Sequence, residues 1–338
     1  MPSLITHYLC GEKAAQLLEN TPGETVIKEH RALFNLGTQG PDIFFYHRVW
    51  PWTKSQGVEK IGHRMHEYQV GDFFSQAINY IINQRDGERN RLTAYLCGYL
   101  CHYALDLYTH PYIFFKSGFI RPGELSTAKY TCYHRIFETA LDLLMLDRML
   151  KKRPTDLRIS QLIQVEKEEA GLLGKMYQSN LEMMGISVTT AQVVQAIQDM
   201  ICVQAVLADR WGLKKRLLSS LERILGKYPL MSSMIYPAVI ADGLDYLNMR
   251  HSPWSLPWDR SVESRLSFPE LFDLAVQEAK GMCEALLLFL SGQGNIQDVL
   301  QAIGNRSFST GLDCCLNLEF HFYNCIFAPV EEKGKASF

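Results

Sequence analysis

Leu96–Tyr112 reads LCGYLCHYALDLYTHPY, an apolar and aromatic run into which His102, Asp106 and His110 are set. At 3.6 residues per turn, His102 and Asp106 stack on one face of a helix, and His110 lies only about 80° round from His102. Three ligand-type side chains therefore point one way from a helix expected over Arg91–Phe115. The same four-residue spacing recurs at His134 and Glu138, on a second helix expected to be capped by Ser126 and to run to about Lys152. Packed side by side, the two helices offer five donors to one space.

Imidazole and carboxylate together suit Zn²⁺, and also Fe or Mn. A single His/Asp pair would fit an ordinary core histidine with a hydrogen-bond partner. Here an ionised Asp106 lies among apolar neighbours, and a buried carboxylate is costly unless a metal or another cation answers it. The five residues together point to a metal site.

The chain has 338 residues, 47% of them hydrophobic and 21% charged, enough to bury one large core or two. A net charge of -2 provides no basic field of the kind that dominates nucleic-acid binding, so nucleic acid is not a favoured partner. The clusters Lys151-Lys152-Arg153 and Lys214-Lys215-Arg216 read as solvated helix ends rather than lipid contacts. Nine scattered cysteines suit reduced thiols, and the start MPSLITHYLCGEKAAQ has neither the basic nor the apolar region of a signal peptide. The apolar run Ala285–Leu290 is far too short to span a bilayer. A cytoplasmic location without a transmembrane segment is the expectation.

Taken in order, the chain reads as helical almost throughout. Thr6 is placed as the cap of a first helix carrying His7, and Gly37, Gly40 and Pro41 impose an irregular backbone just before Asp42. One long helix is expected between Gly57 and Gly87, with His66 facing inward in preference to His63. Pro111 should break the first ligand-bearing helix directly after His110. His251–Asp259 (HSPWSLPWD) reads as a loop, and no alternating strand pattern is apparent. A boundary at Pro154 separates a metal-binding catalytic core, residues 1–153, from a helical C-terminal region, residues 154–338, which serves as packing or lid and could be continuous with the core. His251 and His321 read as ordinary structural histidines. Phe44, Phe45, Tyr46, Tyr103, Tyr108 and Tyr112 read mostly as core, with an apolar or choline-type pocket wall as the alternative.

Five segments together carry a family resemblance: Pro2–His7 (PSLITH), Leu36–Phe45 (LGTQGPDIFF), Met65–Tyr68 (MHEY), Gly98–Tyr112 (GYLCHYALDLYTHPY) and His134–Glu138 (HRIFE). They resemble the zinc-dependent phospholipase C family, a superfamily that includes the catalytic domain of glycosylphosphatidylinositol-specific phospholipase D and, more distantly, P1-type nucleases. The resemblance covers about the first 150 residues. It implies an all-α, multi-helix bundle of the phospholipase C/P1 nuclease type, with a helical C-terminal extension. It also implies two or three zinc ions held by His7, Asp42, His66, His102, Asp106, His110, His134 and Glu138, with Asp106 bridging two of them. In the family the amino terminus of the mature chain is a ligand, so here Met1 would have to be removed for Pro2 to serve.

The activity implied is phosphodiester hydrolysis by zinc-activated water on a phospholipid or other phosphodiester, with Asp42 as the residue that orients or deprotonates the water. Peripheral membrane contact would accompany such a substrate. The alternatives are a nuclease or other phosphoesterase on a soluble substrate, and a non-catalytic helical module in which the ions serve folding or a partner.

Overall fold

The computed structural model describes residues 4–327 except 20, 22, 51, 210, 225–231, 238–239 and 241–242. The first part of the chain forms α1 (Leu4–Leu17), α2 (Glu24–Glu29), α3 (Arg31–Gly37), a 3-10 turn over Gly40–Tyr46, α4 (Glu59–Glu67), α5 (Val70–Ile82) and α6 (Asp86–Ser117). Then come α7 (Tyr130–Leu150), α8 (Pro154–Leu157), α9 (Ile159–Leu162), α10 (Lys167–Met183), α11 (Thr190–Leu207) and α12 (Leu213–Ile224). After an antiparallel hairpin of β1 (Trp254–Leu256) and β2 (Asp259–Ser264), α13 (Phe268–Leu290) and α14 (Ile296–Ile303) complete an all-α multi-helix bundle.

The axis of the bundle is α6. Nearly every residue from Leu92 to Ser117 is buried, the pattern of a helix with neighbours on all sides rather than a surface helix with one apolar stripe. It packs against α13 and α3, and against α1 and α7. Gly98 on α6 and Gly37 on α3 make the α3 crossing possible. A Cβ at Gly98 would lie 2.0 Å from the Phe34 carbonyl oxygen and 3.0 Å from the Gly37 Cα, so the backbones themselves touch there.

Pro111 does not break this helix; it lies inside α6, which continues to Ser117. Proline leaves the carbonyl four residues back without its helical partner. That carbonyl, on Leu107, is covered by the backbone at Gly311, where φ is +71° and a Cβ would approach the oxygen to 2.5 Å. A loop from the far end of the chain thus takes the space the missing hydrogen bond leaves.

Other boundaries move as well. The expected single helix between Gly57 and Gly87 is α4 and α5, separated by an extended Tyr68 and a left-handed Gln69, and Gly87 lies within α6. The turn is held from outside: the Gly71 amide donates to Asn305 Oδ1 at 3.1 Å, and the Glu67 carboxylate accepts from the hydroxyls of Ser307 and Ser309. A 3-10 turn over Leu125–Lys129 takes the place of a Ser126 cap on α7. His251–Asp259 is not all loop, because Trp254–Leu256 pairs with Asp259–Ser264 and the Trp254 indole nitrogen donates to the Leu266 carbonyl. Pro257 and Trp258 form the turn between the strands, and proline there costs no ladder hydrogen bond.

Candidate metal centre

Thr6 is not a cap but an anchor. Its amide and hydroxyl both donate to Asp142 Oδ1, at 2.7 and 2.6 Å, and the Ile5 amide donates to Oδ2 at 3.1 Å. The first amides of a helix have no partner within it, so Asp142 of α7 caps α1 from across the fold. Tyr236 adds a fourth donor at 2.6 Å. Asp142 lies one turn beyond Glu138, and this clamp therefore sets α1, with His7, beside the ligand face of α7.

Around Asp106 the imidazoles converge. Oδ1 lies 3.3 Å from His7 Nε2 and 3.5 Å from His110 Nε2; Oδ2 lies 3.2 Å from His102 Nε2 and 3.9 Å from His66 Nε2. His66 Nε2 is also 3.2 Å from Asp42 Oδ1. Glu138 Oε1 lies 3.0 Å from His134 Nε2 and 3.7 Å from His110 Nε2. Three groups result, His7/His102/Asp106, Asp42/His66/His102 and His110/His134/Glu138, each with its donor atoms within 4.8 Å of one another. All eight side chains singled out by sequence meet in this one cluster. His63 does not join them: it is exposed and packs on Phe45. Met1 and Pro2 lie outside the described residues.

The backbone decides which ring nitrogen faces inward. His66, His102 and His110 place Nδ1 on the carbonyls of Gly62, Thr38 and Phe308, at 2.6, 3.2 and 2.9 Å. A carbonyl only accepts, so each Nδ1 carries a hydrogen, and in its neutral form each ring turns the Nε2 lone pair to the cluster. That orientation is the one imidazole adopts toward a metal. The turn at Gly40 supports it: with φ at +49°, a Cβ would meet the His102 ring at 2.4 Å, so only glycine lets the chain pass this close and deliver Asp42.

These residues fit a bound cation. His102 Nε2, Asp42 Oδ2, Glu138 Oε2 and His7 Nδ1 are buried without a hydrogen bond, an expensive state for polar atoms in a core. Two donors on one tetrahedral zinc at ~2.1 Å lie about 3.4 Å apart. The nitrogen–oxygen separations in this cluster run from 3.0 to 3.9 Å, too long for most charge-assisted hydrogen bonds and close to that edge length.

Electrostatics follow from the same crowding. Burial raises the Asp106 carboxyl, but the imidazoles of His110, His102 and His7 outweigh it and hold Asp106 well below the usual range. Glu138 is lowered in the same way against burial, chiefly by His134. Burial and the neighbouring His7 lower His102, which favours its neutral form. For His110 burial opposes the charge, yet Asp106 and Glu138 lift the ring to about 9.

A cation entering at pH 7 should therefore displace a proton from His110. Calorimetry of zinc loading in two buffers of different protonation enthalpy is expected to show net proton release; identical heats would count against His110 as a ligand. In the metal-free chain the sign reverses. The folded value of about 9 lies above the unfolded ~6.5, so this ion pairing stabilises fully below about pH 6.5 and its contribution is lost as pH rises through 9.

An open groove of about 990 Å³ reaches the cluster at His134, between Glu67, Phe114, Tyr130, Ser309 and Phe320. Its aromatic wall comes from residues other than those suggested by sequence: Phe44, Tyr46, Tyr103 and Tyr112 are buried core. Phe114 instead packs edge-on to Phe320, with ring centroids 5.0 Å apart, and Phe320 stacks on Trp258.

Sequence reasoning missed Asp142 and Phe308. Asp142 was detectable, being spaced four residues from Glu138 on an apolar face. Phe308 had no local signal, since its role is made by its backbone: the amide donates to the His66 carbonyl at 2.9 Å and the carbonyl accepts from His110.

An all-α bundle with His and carboxylate donors gathered on its central helix defines a candidate hydrolytic metalloprotein. The sequence model described as zinc-dependent phospholipase C matches residues 6–184, more than half of the chain, and the chain belongs to that family. The match extends past Pro154 into α10 and the turn after it. Neither a curated protein nor a solved structure matches.

Proposed function

We propose that this chain is a zinc-dependent phosphodiester hydrolase, phospholipase C-like, acting on a phospholipid or lipid-like headgroup. The observation that carries the proposal is the meeting of three His/carboxylate groups at Asp106 beside an open aromatic groove. His7, Asp42, His66, His102, Asp106, His110, His134 and Glu138 would hold two or three ions, with Pro2 joining them if Met1 is removed. When bound, zinc neutralises the anionic phosphoryl group and makes water acidic enough to attack near neutral pH.

The chain's own residues do the rest. Asp42 Oδ1 is engaged by His66, while Oδ2 is buried and without a hydrogen-bond partner, free to orient the attacking water and accept its proton. Asp106 sets one negative charge among four imidazoles, which would offset a bound cation. The Gly62, Thr38 and Phe308 carbonyls keep three of those rings from turning away. Phe114 and Phe320 offer an apolar wall to the lipid part of the substrate. Residues 1–153 act as the metal-binding core, and residues 154–338 serve as packing and lid, supplying part of the groove wall. Among the described residues no helix is long and apolar enough to cross a membrane, and contact with lipid would be peripheral.

The test compares a chromogenic phosphodiester, phosphatidylcholine vesicles and single-stranded DNA on the zinc-loaded chain. Turnover of the first two is expected, with Asp42→Asn losing about a hundredfold or more in rate while retaining most of its metal. Faster cleavage of DNA would replace the lipid reading with a nuclease. A fully metallated chain that hydrolyses none of the three would be a metal-stabilised module instead.

A further inference from the structure

Leu213–Ile224 (LKKRLLSSLERI) forms α12, and none of its residues is buried. Leu213, Leu217, Leu221 and Ile224 fall within about 80° of one another around the helix. In a helix of a water-soluble bundle such a stripe faces the core. Here it faces outward, with exposures of 58%, 72%, 52% and 81%. Trp211, 75% exposed, stands at the head of the helix.

The side of α12 turned to the protein carries Lys215, Ser219 and Glu222, with Leu218 its one apolar residue. Lys215 reaches the carbonyls of Ser232 and Ile235 at 3.0 and 2.8 Å, and burial lowers its ammonium to about 8. Glu222 accepts from the Ser232 amide, at 3.3 Å for Oε2. Lys215, read from sequence as part of a solvated cluster, is thus an inward anchor. The helix is fastened by its polar face, and its apolar face is left for something else.

The charged side chains of α12 that flank the stripe are positive, while Asp209, just before the helix, accepts from the Lys215 amide at 2.9 Å. Arg216 and Arg223 lie on one flank and Lys214 on the other, where its ammonium donates to the Val206 and Ala208 carbonyls at 2.7 and 2.9 Å; Glu222, the only acid in the helix, faces the Ser232 backbone. We infer that α12 is a docking helix for an anionic lipid surface, its leucines entering the interface and its cations meeting headgroup phosphates. A second copy of the chain is a poorer partner. Pairing two such stripes sets the flanking cations of one helix against those of the other.

The hydrolase reading explains why a bilayer would be the partner, but the docking test does not depend on catalysis. The full chain is floated with vesicles of phosphatidylcholine alone and of phosphatidylcholine with phosphatidylglycerol, at low and high salt. Binding to the anionic vesicles that weakens with salt is expected. Leu217→Gln with Leu221→Gln should lower partitioning roughly tenfold or more, because two interfacial leucines are lost. Arg216→Glu should lower binding to the anionic vesicles selectively.

Both variants should keep the parent's thermal midpoint and its rate on a soluble phosphodiester. The inference is overturned if the parent binds neither vesicle, or if the double variant floats as the parent does. It is equally overturned if the parent is a dimer that the double variant dissociates while no vesicle is bound. Flotation without diester hydrolysis would unseat the hydrolase reading and leave the docking helix standing.

Discussion

Asp106→Ala is expected to lose metal and turnover together. Its two oxygens are shared among His7, His110, His102 and His66, at 3.2 to 3.9 Å, so no other single residue touches as much of the cluster. Removing it takes away the only carboxylate of the His7/His102/Asp106 group and the negative charge that makes room for a cation among four imidazoles. Metal-assisted charge stabilisation amounts to several kcal/mol, about a thousandfold or more in rate. Metal content by mass spectrometry and hydrolysis of a chromogenic phosphodiester should fall in parallel. Full activity in the variant would sink the metal-centre proposal. Asp106→Asn, closer in shape, keeps the test independent of a packing defect, and should show the same paired loss.

Gly98→Ala should destabilise the whole bundle, and here two effects have opposite signs. Helix propensity alone favours alanine over glycine in a helix interior by about 1 kcal/mol. Packing opposes it, because the new Cβ would lie 2.0 Å from the Phe34 carbonyl oxygen and 3.0 Å from the Gly37 Cα. Both neighbours are backbone, so α3 must move as a unit, and overpacking of this kind costs about 3 kcal/mol at its upper end. Packing wins, and a clear drop in the thermal midpoint of the metal-free chain is expected; a raised midpoint would show that α3 moves away freely. The same displacement should weaken zinc binding. The Thr38 carbonyl that orients His102 directly follows α3, and Gly40 packs on the His102 ring.

The two ligand-bearing helices were legible because their information is local. His102/Asp106/His110 and His134/Glu138 carry helical spacing, and helical periodicity is a property of neighbours a few residues apart. The Pro111 break was misread for the opposite reason. Whether a proline ends a helix depends on what covers the carbonyl it frees, and here that is Gly311, two hundred residues downstream. The hairpin at Trp254–Ser264 was missed because one strand has three residues and contains no full alternation. For α12 the stripe could be read from sequence but its direction could not. Periodicity shows that a helix has two faces; the contacts of Lys215 and Glu222 determine which one faces inward.

The sequence by itself determined an all-α bundle and the residues that could share a metal centre, because spacing along a helix fixes which side chains share a face. Only the tertiary structure brought His7, Asp42 and His66 to the same point as Asp106, and turned Nε2 rather than Nδ1 toward it. Those outcomes rest on contacts between distant parts of the chain: Asp142 capping α1, glycine allowing α3 and α6 to touch, and the Phe308 carbonyl accepting from His110. Their energies are realised only once the helices have packed, so no local pattern announces them.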